Sequence, residues 1–257
     1  MSEDTPTQPP PPPAKKWINW QQAGVLADRY METILADWAI TLLLLLQAPL
    51  LAGMAVVVWG NIGEANSNLY FVMTLSCLWL GCIDSCREIV KERALFLRER
   101  MFNLEIGAYL VSKLRVLLLL NVVQVVAYAL IIDANLDVRV HTVWLIVNLL
   151  MTTLCGTCLG LLISAASKRS DYAVGVVPLV ILPQILFSEV AINKDDFEGY
   201  SEIAYTLMPS RWGFEGLKEL ARTEPEYLDA VGMMFPLLGF SLLFLLIAWP
   251  LLRFQRY

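Results

Sequence analysis

Thr142-Val-Trp-Leu-Ile-Val-Asn-Leu-Leu-Met-Thr-Thr-Leu-Cys-Gly-Thr-Cys-Leu-Gly-Leu-Leu-Ile-Ser-Ala-Ala-Ser167 runs for 26 residues without an Asp, Glu, Lys, Arg or His. A hydrocarbon core about 30 Å thick is crossed by about 20 such residues as a helix. In that medium backbone N–H and C=O groups find partners only inside a helix or a closed barrel. The period-two alternation of a barrel is absent, so the stretch reads as a transmembrane helix. The same criterion finds five further runs, Trp38 to Gly63, Ala65 to Ile83, Val116 to Ile132, Tyr172 to Ser188 and Ala230 to Leu252. Together they predict an all-α integral membrane protein with six transmembrane helices near residues 38–60, 66–90, 112–132, 142–167, 172–190 and 231–252. The third and fifth runs hold only 17 uncharged residues each, and Pro178 and Pro183 predict a kinked or broken fifth helix.

Composition agrees with this reading. Of the 257 residues 57% are apolar and 17% charged, with a mean hydropathy of +0.58, against roughly 45–50% and about 25% in soluble domains. Those values exclude a secreted disulfide scaffold, a disordered regulator and a soluble enzyme. A net charge of −5 and a pI near 5.0 lack the basic excess that phosphate binding needs, so no nucleic acid is expected as a partner.

Six spans place both termini on one side of the membrane. That side carries 14 of the 19 Lys and Arg residues, whereas the other holds Arg139, Lys194, Arg211, Lys218 and Arg222 together with 13 of the 24 acids. The positive-inside rule therefore makes the N- and C-termini cytoplasmic. The run beginning at Trp38 has no cleavage-like flank and reads as a permanent span.

The connecting pieces carry the remaining information. Residues 1–13 end in five consecutive prolines and predict a disordered, extended tail ahead of a single membrane domain over 14–257. Between Ala14 and Asp37, the residues Trp17, Trp20, Leu26, Tyr30, Ile34 and Trp38 recur at helical spacing among charges, which predicts an amphipathic interfacial helix. Arg87 to Asn103 is a mixed-charge segment with Glu88, Glu92 and Phe96 on one helical face, and a turn is expected between Asn103 and Gly107. A compact helical hairpin just below the membrane and a solvated positive-inside loop both fit these residues. On the outer side a loop of 41 residues, Glu189 to Asp229, contains Pro209-Ser210 followed by Trp212, Phe214, Leu217 and Leu220. It predicts a re-entrant or interfacial helix.

Enzymatic chemistry is discounted residue by residue. Cys155-Gly-Thr-Cys158 matches a redox dithiol but sits in mid-span, where a thiolate is disfavoured, so small-residue helix packing is expected. With one histidine in the chain, His141, no metal site is expected. Asp84 and Glu189 are the charges at span ends; Asp84 is expected to pair with Arg87, Lys91 or Arg115, and Glu189 to mark an outer vestibule. No Gly-Lys dipeptide occurs, so the P-loop motif is absent and energy from ATP must come from another polypeptide.

Three stretches carry a family resemblance. Trp79-x-Gly81-Cys82, Arg87-Glu-Ile-Val-Lys-Glu92, Phe96-x-Arg98-Glu-Arg-Met-x-Asn103-Leu and Tyr109-Leu-Val-Ser-Lys113 together resemble the permease domain of type-2 ATP-binding-cassette (ABC) exporters. The G subfamily and its bacterial relatives are the most similar. Arg29-Tyr30 with Leu44-Leu-Leu-Gln-Ala-Pro-Leu50 is similar to the membrane entry of bacterial permeases associated with forkhead-associated-domain ATPases, and Met208-Pro-Ser-Arg-Trp-Gly-Phe-Glu-Gly-Leu217 resembles their last outer loop.

The resemblance implies a permease subunit of an ATP-driven exporter in the bacterial inner membrane, not an enzyme by itself. It implies a dimer with a second permease copy, a separate ABC ATPase subunit holding ATP and Mg, and membrane lipids around it. The Ala14–Asp37 helix would be the connecting helix. The segment with Glu92, Arg93, Phe96, Arg98, Glu99, Arg100 and Met101 would be the coupling helix that docks on the ATPase, with Phe96 and Met101 in an apolar slot. Met73, Ser76, Leu80, Leu179, Pro183, Gln184 and Phe187 would line the translocation route between the second and fifth spans. Their apolar character points to a lipid-like or amphipathic substrate. A membrane scaffold and an ATP-independent secondary transporter are the competing classes.

Overall fold

The computed structural model describes residues 19–61, 66–192 and 199–254, and these form helices joined by turns, with no strand among them. The proline tail, the first residues of the amphipathic segment, Lys194 and Arg256 lie outside the described residues. In chain order the elements are α1 (Trp20–Ala36), α2 (Trp38–Trp59), α3 (Ser67–Ser85), a single 3₁₀ turn (Val90–Glu92) and α4 (Arg93–Arg100). They continue with α5 (Ile106–Asn135), α6 (Thr142–Ala166), α7 (Ser170–Leu186), α8 (Tyr200–Thr206), α9 (Pro209–Leu220) and α10 (Tyr227–Phe254).

Polar residues at the ends of apolar runs set several of these boundaries. Asn19, Asp37, Asn66 and His141 each accept a backbone N–H in the first turn of the helix they precede, as N-caps do. Asn103 takes a left-handed backbone, with φ of 65°, and turns the chain from α4 into α5; asparagine tolerates that conformation better than most residues.

Among the described residues five helices are long and apolar enough to cross a membrane: α2, α3 with its continuation to Arg100, α5, α6 and α10. The sixth expected span, α7, has only 17 residues and reaches about 25 Å. It is continuous through Pro178 and Pro183, neither of which breaks it, and it stops where Phe187 N–H bonds Pro183 O at 2.9 Å.

Glycines set the centre of the fold. The hydrophobic windows of α3 and α6 are 72% and 67% buried, against 17% for α2 and 22% for α10, so α3 and α6 form the inner pair. A side chain at Gly81 would collide with the backbone at Thr153 and Thr157, and one at Gly156 or Gly160 would collide with the backbone at Leu78 or Cys82. Gly156 and Gly160 lie on one face of α6 and allow the backbones to touch, as small residues do between membrane helices. Hydrogen bonds close this crossing: Ser85 Oγ donates to Thr157 O at 2.9 Å, and Asn121 Nδ2 donates to Thr157 Oγ1 at 2.6 Å. Cys155 and Cys158 are both buried within it and form no disulfide.

α9 packs into the bundle against α3, α6, α7 and α10. Gly213 faces Thr74 and Thr152, Gly216 faces Asn148, and Phe214 meets Phe71 edge-on with centroids 5.9 Å apart.

Candidate functional site

The densest charge cluster lies where α1, α4 and the start of α5 meet. α5 begins at Ile106, ten residues before its uncharged run, and this extension carries Tyr109 and Lys113 into the interior. Lys113 is 2% exposed, and its Nζ lies 2.6 Å from Glu92 Oε2 and 3.5 Å from the centre of the Tyr30 ring. Pairing offsets the desolvation of such a buried ammonium, and the aromatic face adds a cation–π attraction. The Tyr30 hydroxyl donates to Glu88, whose other oxygen accepts from Lys91 Nζ at 2.6 Å. Burial, and then the charge of Glu88, hold the Tyr30 hydroxyl well above its ordinary range. It therefore remains a proton donor to Glu88.

A second set of contacts fixes α4 from outside. Arg29 on α1 reaches Glu99 with both terminal nitrogens, at 2.5 and 3.1 Å. That bond raises the guanidinium's pKa further, so it stays charged. Arg100 donates to Leu252 O at 2.8 Å and Arg253 O at 2.6 Å at the end of α10. The α4–α5 turn is tied to the start of α1 through Asn19 N to Glu105 Oε2 at 3.0 Å and Glu105 N to Gln22 Oε1 at 3.1 Å. Ser164 Oγ on α6 accepts from Ile89 N and Val90 N at 2.9 and 3.0 Å. Side-chain contacts thus tie α4 and the turn before it to α1, α5, α6 and α10.

The predicted docking residues divide into two groups. Phe96 is 1% exposed and packs against Tyr109, with ring centroids 4.8 Å apart and planes tilted by 43°. It is an internal anchor and does not reach outward, a correction to the expectation that it fills a partner's slot. Glu92 is engaged by Lys113, and Glu99 and Arg100 by α1 and α10; Arg93 lies 3.5 Å from Ser167 O. The outward surface consists of Ala94, Arg98, Met101, Phe102 and Asn103, with Met101 64% and Phe102 80% exposed.

The predicted pathway residues do not share one surface. Met73 and Leu80 are fully buried in the core formed with α2, α5, α6 and α9, and Ser76 lies on the same helical side. Leu78 and Cys82 of α3, with Cys86 at its end, share a second buried core with Ala173, Val177 and Ile181 of α7, and Leu75, Trp79 and Ile83 are half-buried at its edge. Leu179 is exposed, Pro183 and Phe187 are half-buried, and Gln184 is buried, its Oε1 accepting Ser210 N at 3.0 Å. Gln184 therefore ties α7 to α9.

The two span-end acids also differ from expectation. Asp84 is 4% exposed and pairs with none of the expected cations; neither of its oxygens has a hydrogen-bond partner among the described residues. Glu189 accepts from Lys218 Nζ at 2.6 Å and the Tyr205 hydroxyl at 2.8 Å. It fastens the outer loop onto α9. Lys113 and Glu88 were not singled out as site residues from sequence. Their signal was a lysine and two glutamates flanking apolar helices at positions that helix continuation carries inward.

Comparison with known proteins places this geometry. Residues 21–220 match the family model of the ABC-2 type transporter membrane domain. The chain is also similar to an ABC transporter ATP-binding/permease protein of Mycobacterium tuberculosis, 24% identical over 242 residues. That alignment covers 83% of this chain but only 28% of the relative. With the family model spanning most of the sequence and several apolar helices of membrane-crossing length, the chain belongs to the ABC-2 type transporter family as a membrane permease.

Proposed function

We propose that this permease serves an ATP-driven exporter, and that α4 is the coupling helix through which a nucleotide-binding domain moves the membrane helices. The observation that carries the proposal is the two-sidedness of the α4 hairpin. Its inner side is locked through Phe96, Glu99 and Arg100, while Arg98, Met101 and Phe102 face outward. An exposed apolar pair rimmed by a cation suits a protein groove. A push there would be carried through Arg29 into α1, through Lys113 into α5 and through Arg100 into α10.

Alternating access then follows as a rigid tilt of packed helices between two arrangements. In this reading two copies face each other across α7 and the half-buried edge of α3 at Leu75 and Trp79, and α7 with the outer loop completes a sixth crossing. Both termini lie in the cytoplasm of a bacterial cell, and ATP and Mg are held by the ABC ATPase partner. The facing residues, Leu75, Trp79 and Leu179 among them, are apolar and favour a lipid-like or amphipathic substrate. Mild-detergent purification of the tagged chain from native membranes, with intact-mass measurement, tests the assembly. Two permease domains with two ATPase domains are expected; a lone chain or dimer that lacks any ATPase domain would contradict it.

A further inference from the structure

A cavity of about 380 Å³ lies between α1, α2, the end of α3 and α5, a volume in the range of small-ligand sites. Ile34, Ile40, Leu44, Leu117 and Leu120 form its apolar lining. Its polar lining sets four carboxylates, Asp37, Asp84, Glu88 and Glu92, against one cation, Lys91. Three of the four are engaged. Glu88 accepts from Tyr30 and Lys91, Glu92 from Lys113, and Asp37 caps α2.

Asp84 is different. It is 4% exposed, and both carboxylate oxygens are without a hydrogen-bond partner among the described residues. Gln124 lies beside Asp84 and donates to Leu44 O at 2.9 Å, and the Arg87 guanidinium acts on Asp84 through charge. Buried polar groups are satisfied as a rule, and a buried carboxylate is best satisfied by a cationic donor. The excess of acids around it selects against an anion. The apolar lining continues onto exposed residues of α2, with Ile40 48% and Leu43 63% exposed, so the cavity adjoins a lipid-facing surface.

We propose that this cavity binds the primary ammonium headgroup of an amphiphile from the adjoining leaflet, with Asp84 accepting its N–H bonds and the hydrocarbon lying along Ile40 and Leu44. The inference rests on the cavity and its partners and holds in whichever direction the permease works.

Native mass spectrometry of the purified full-length chain tests it with two lipids of identical dioleoyl chains, phosphatidylethanolamine and phosphatidylglycerol. The ethanolamine lipid is expected to be retained about tenfold better, one decade of affinity for a charge-assisted bond. Asp84→Asn should lower its retention to that of the glycerol lipid. Ile40→Trp, which narrows the cavity and leaves the carboxylate intact, should do the same and carries the test if Asp84→Asn fails to fold. Equal retention of the two lipids by the wild type, or unchanged retention in Ile40→Trp, would overturn the site. Displacement of the lipid by millimolar ethanolamine would overturn the amphiphile as its source.

Discussion

Arg29 on α1 grips Glu99 on α4 through both of its terminal nitrogens, at 2.5 and 3.1 Å, joining elements 70 residues apart in the chain. The two side chains are 46% and 24% exposed, so solvent screens the pair and its contribution to stability is about 0–1 kcal/mol. Its value lies in geometry. A bidentate guanidinium–carboxylate pair transmits direction as well as force, because both partners must move together.

Charge reversal separates those roles. Glu99→Arg places a second cation against Arg29 and should uncouple ATP hydrolysis from transport while insertion and melting temperature stay near wild type. Arg29→Glu should behave alike, and the double reversal should restore much of the coupling. Substrate-stimulated ATPase activity in proteoliposomes reads this; normal coupling in Glu99→Arg would remove α4 from the transmission route.

Lys113 is expected to behave differently because it is enclosed. Lys113→Met leaves Glu92 without its cation and should cost about 3–5 kcal/mol, the usual penalty for breaking a buried pair. Adding Glu92→Gln should recover most of it, since neither charge then remains. Thermal unfolding monitored by size-exclusion fluorescence distinguishes the two.

The inner helix crossing makes a steric prediction. Gly156→Val would drive a side chain into the backbone at Leu78 and should abolish monodisperse protein. Gly53→Ala, with open space around it in α2, should be neutral or stabilising by up to about 1 kcal/mol through helix propensity. Expression and size-exclusion profiles of the two variants measure the contrast.

All five cysteines are free and buried. A membrane-permeant maleimide should therefore label the native protein slowly and the denatured chain at five positions. Rapid native labelling of Cys155 or Cys158 would mean that the α3–α6 crossing opens, and would reopen a redox role for the pair.

The sequence made the helices legible and left their neighbours obscure. Charge-free runs located α2, α6 and α10 within a few residues, because a hydrocarbon solvent admits little else. They undershot α5, since the count stopped at Arg115 and Lys113 although the helix continues past both; a charge ends an apolar run without ending a helix. The run over Tyr172 to Ser188 located α7 to within two residues, and its 17 residues end in a turn at Phe187. The α3 residues chosen for the pathway, Met73, Ser76 and Leu80, share a face, but periodicity cannot say whether that face meets lipid, a cavity or α5. Phe96 illustrates the same limit. An exposed aromatic and a buried one look alike until Tyr109 is seen packed against it.

The outward face of the α4 hairpin is where the account is most directly exposed to test. A photo-cross-linking amino acid at Phe102, with the lipid-facing Leu119 as the control position, would be activated in native membranes and its products identified by mass spectrometry. The account predicts that the Phe102 probe captures a polypeptide segment from a P-loop nucleotide-binding domain, and that the Leu119 probe does not. Capture of lipid alone at Phe102, or the same products at both positions, would contradict it.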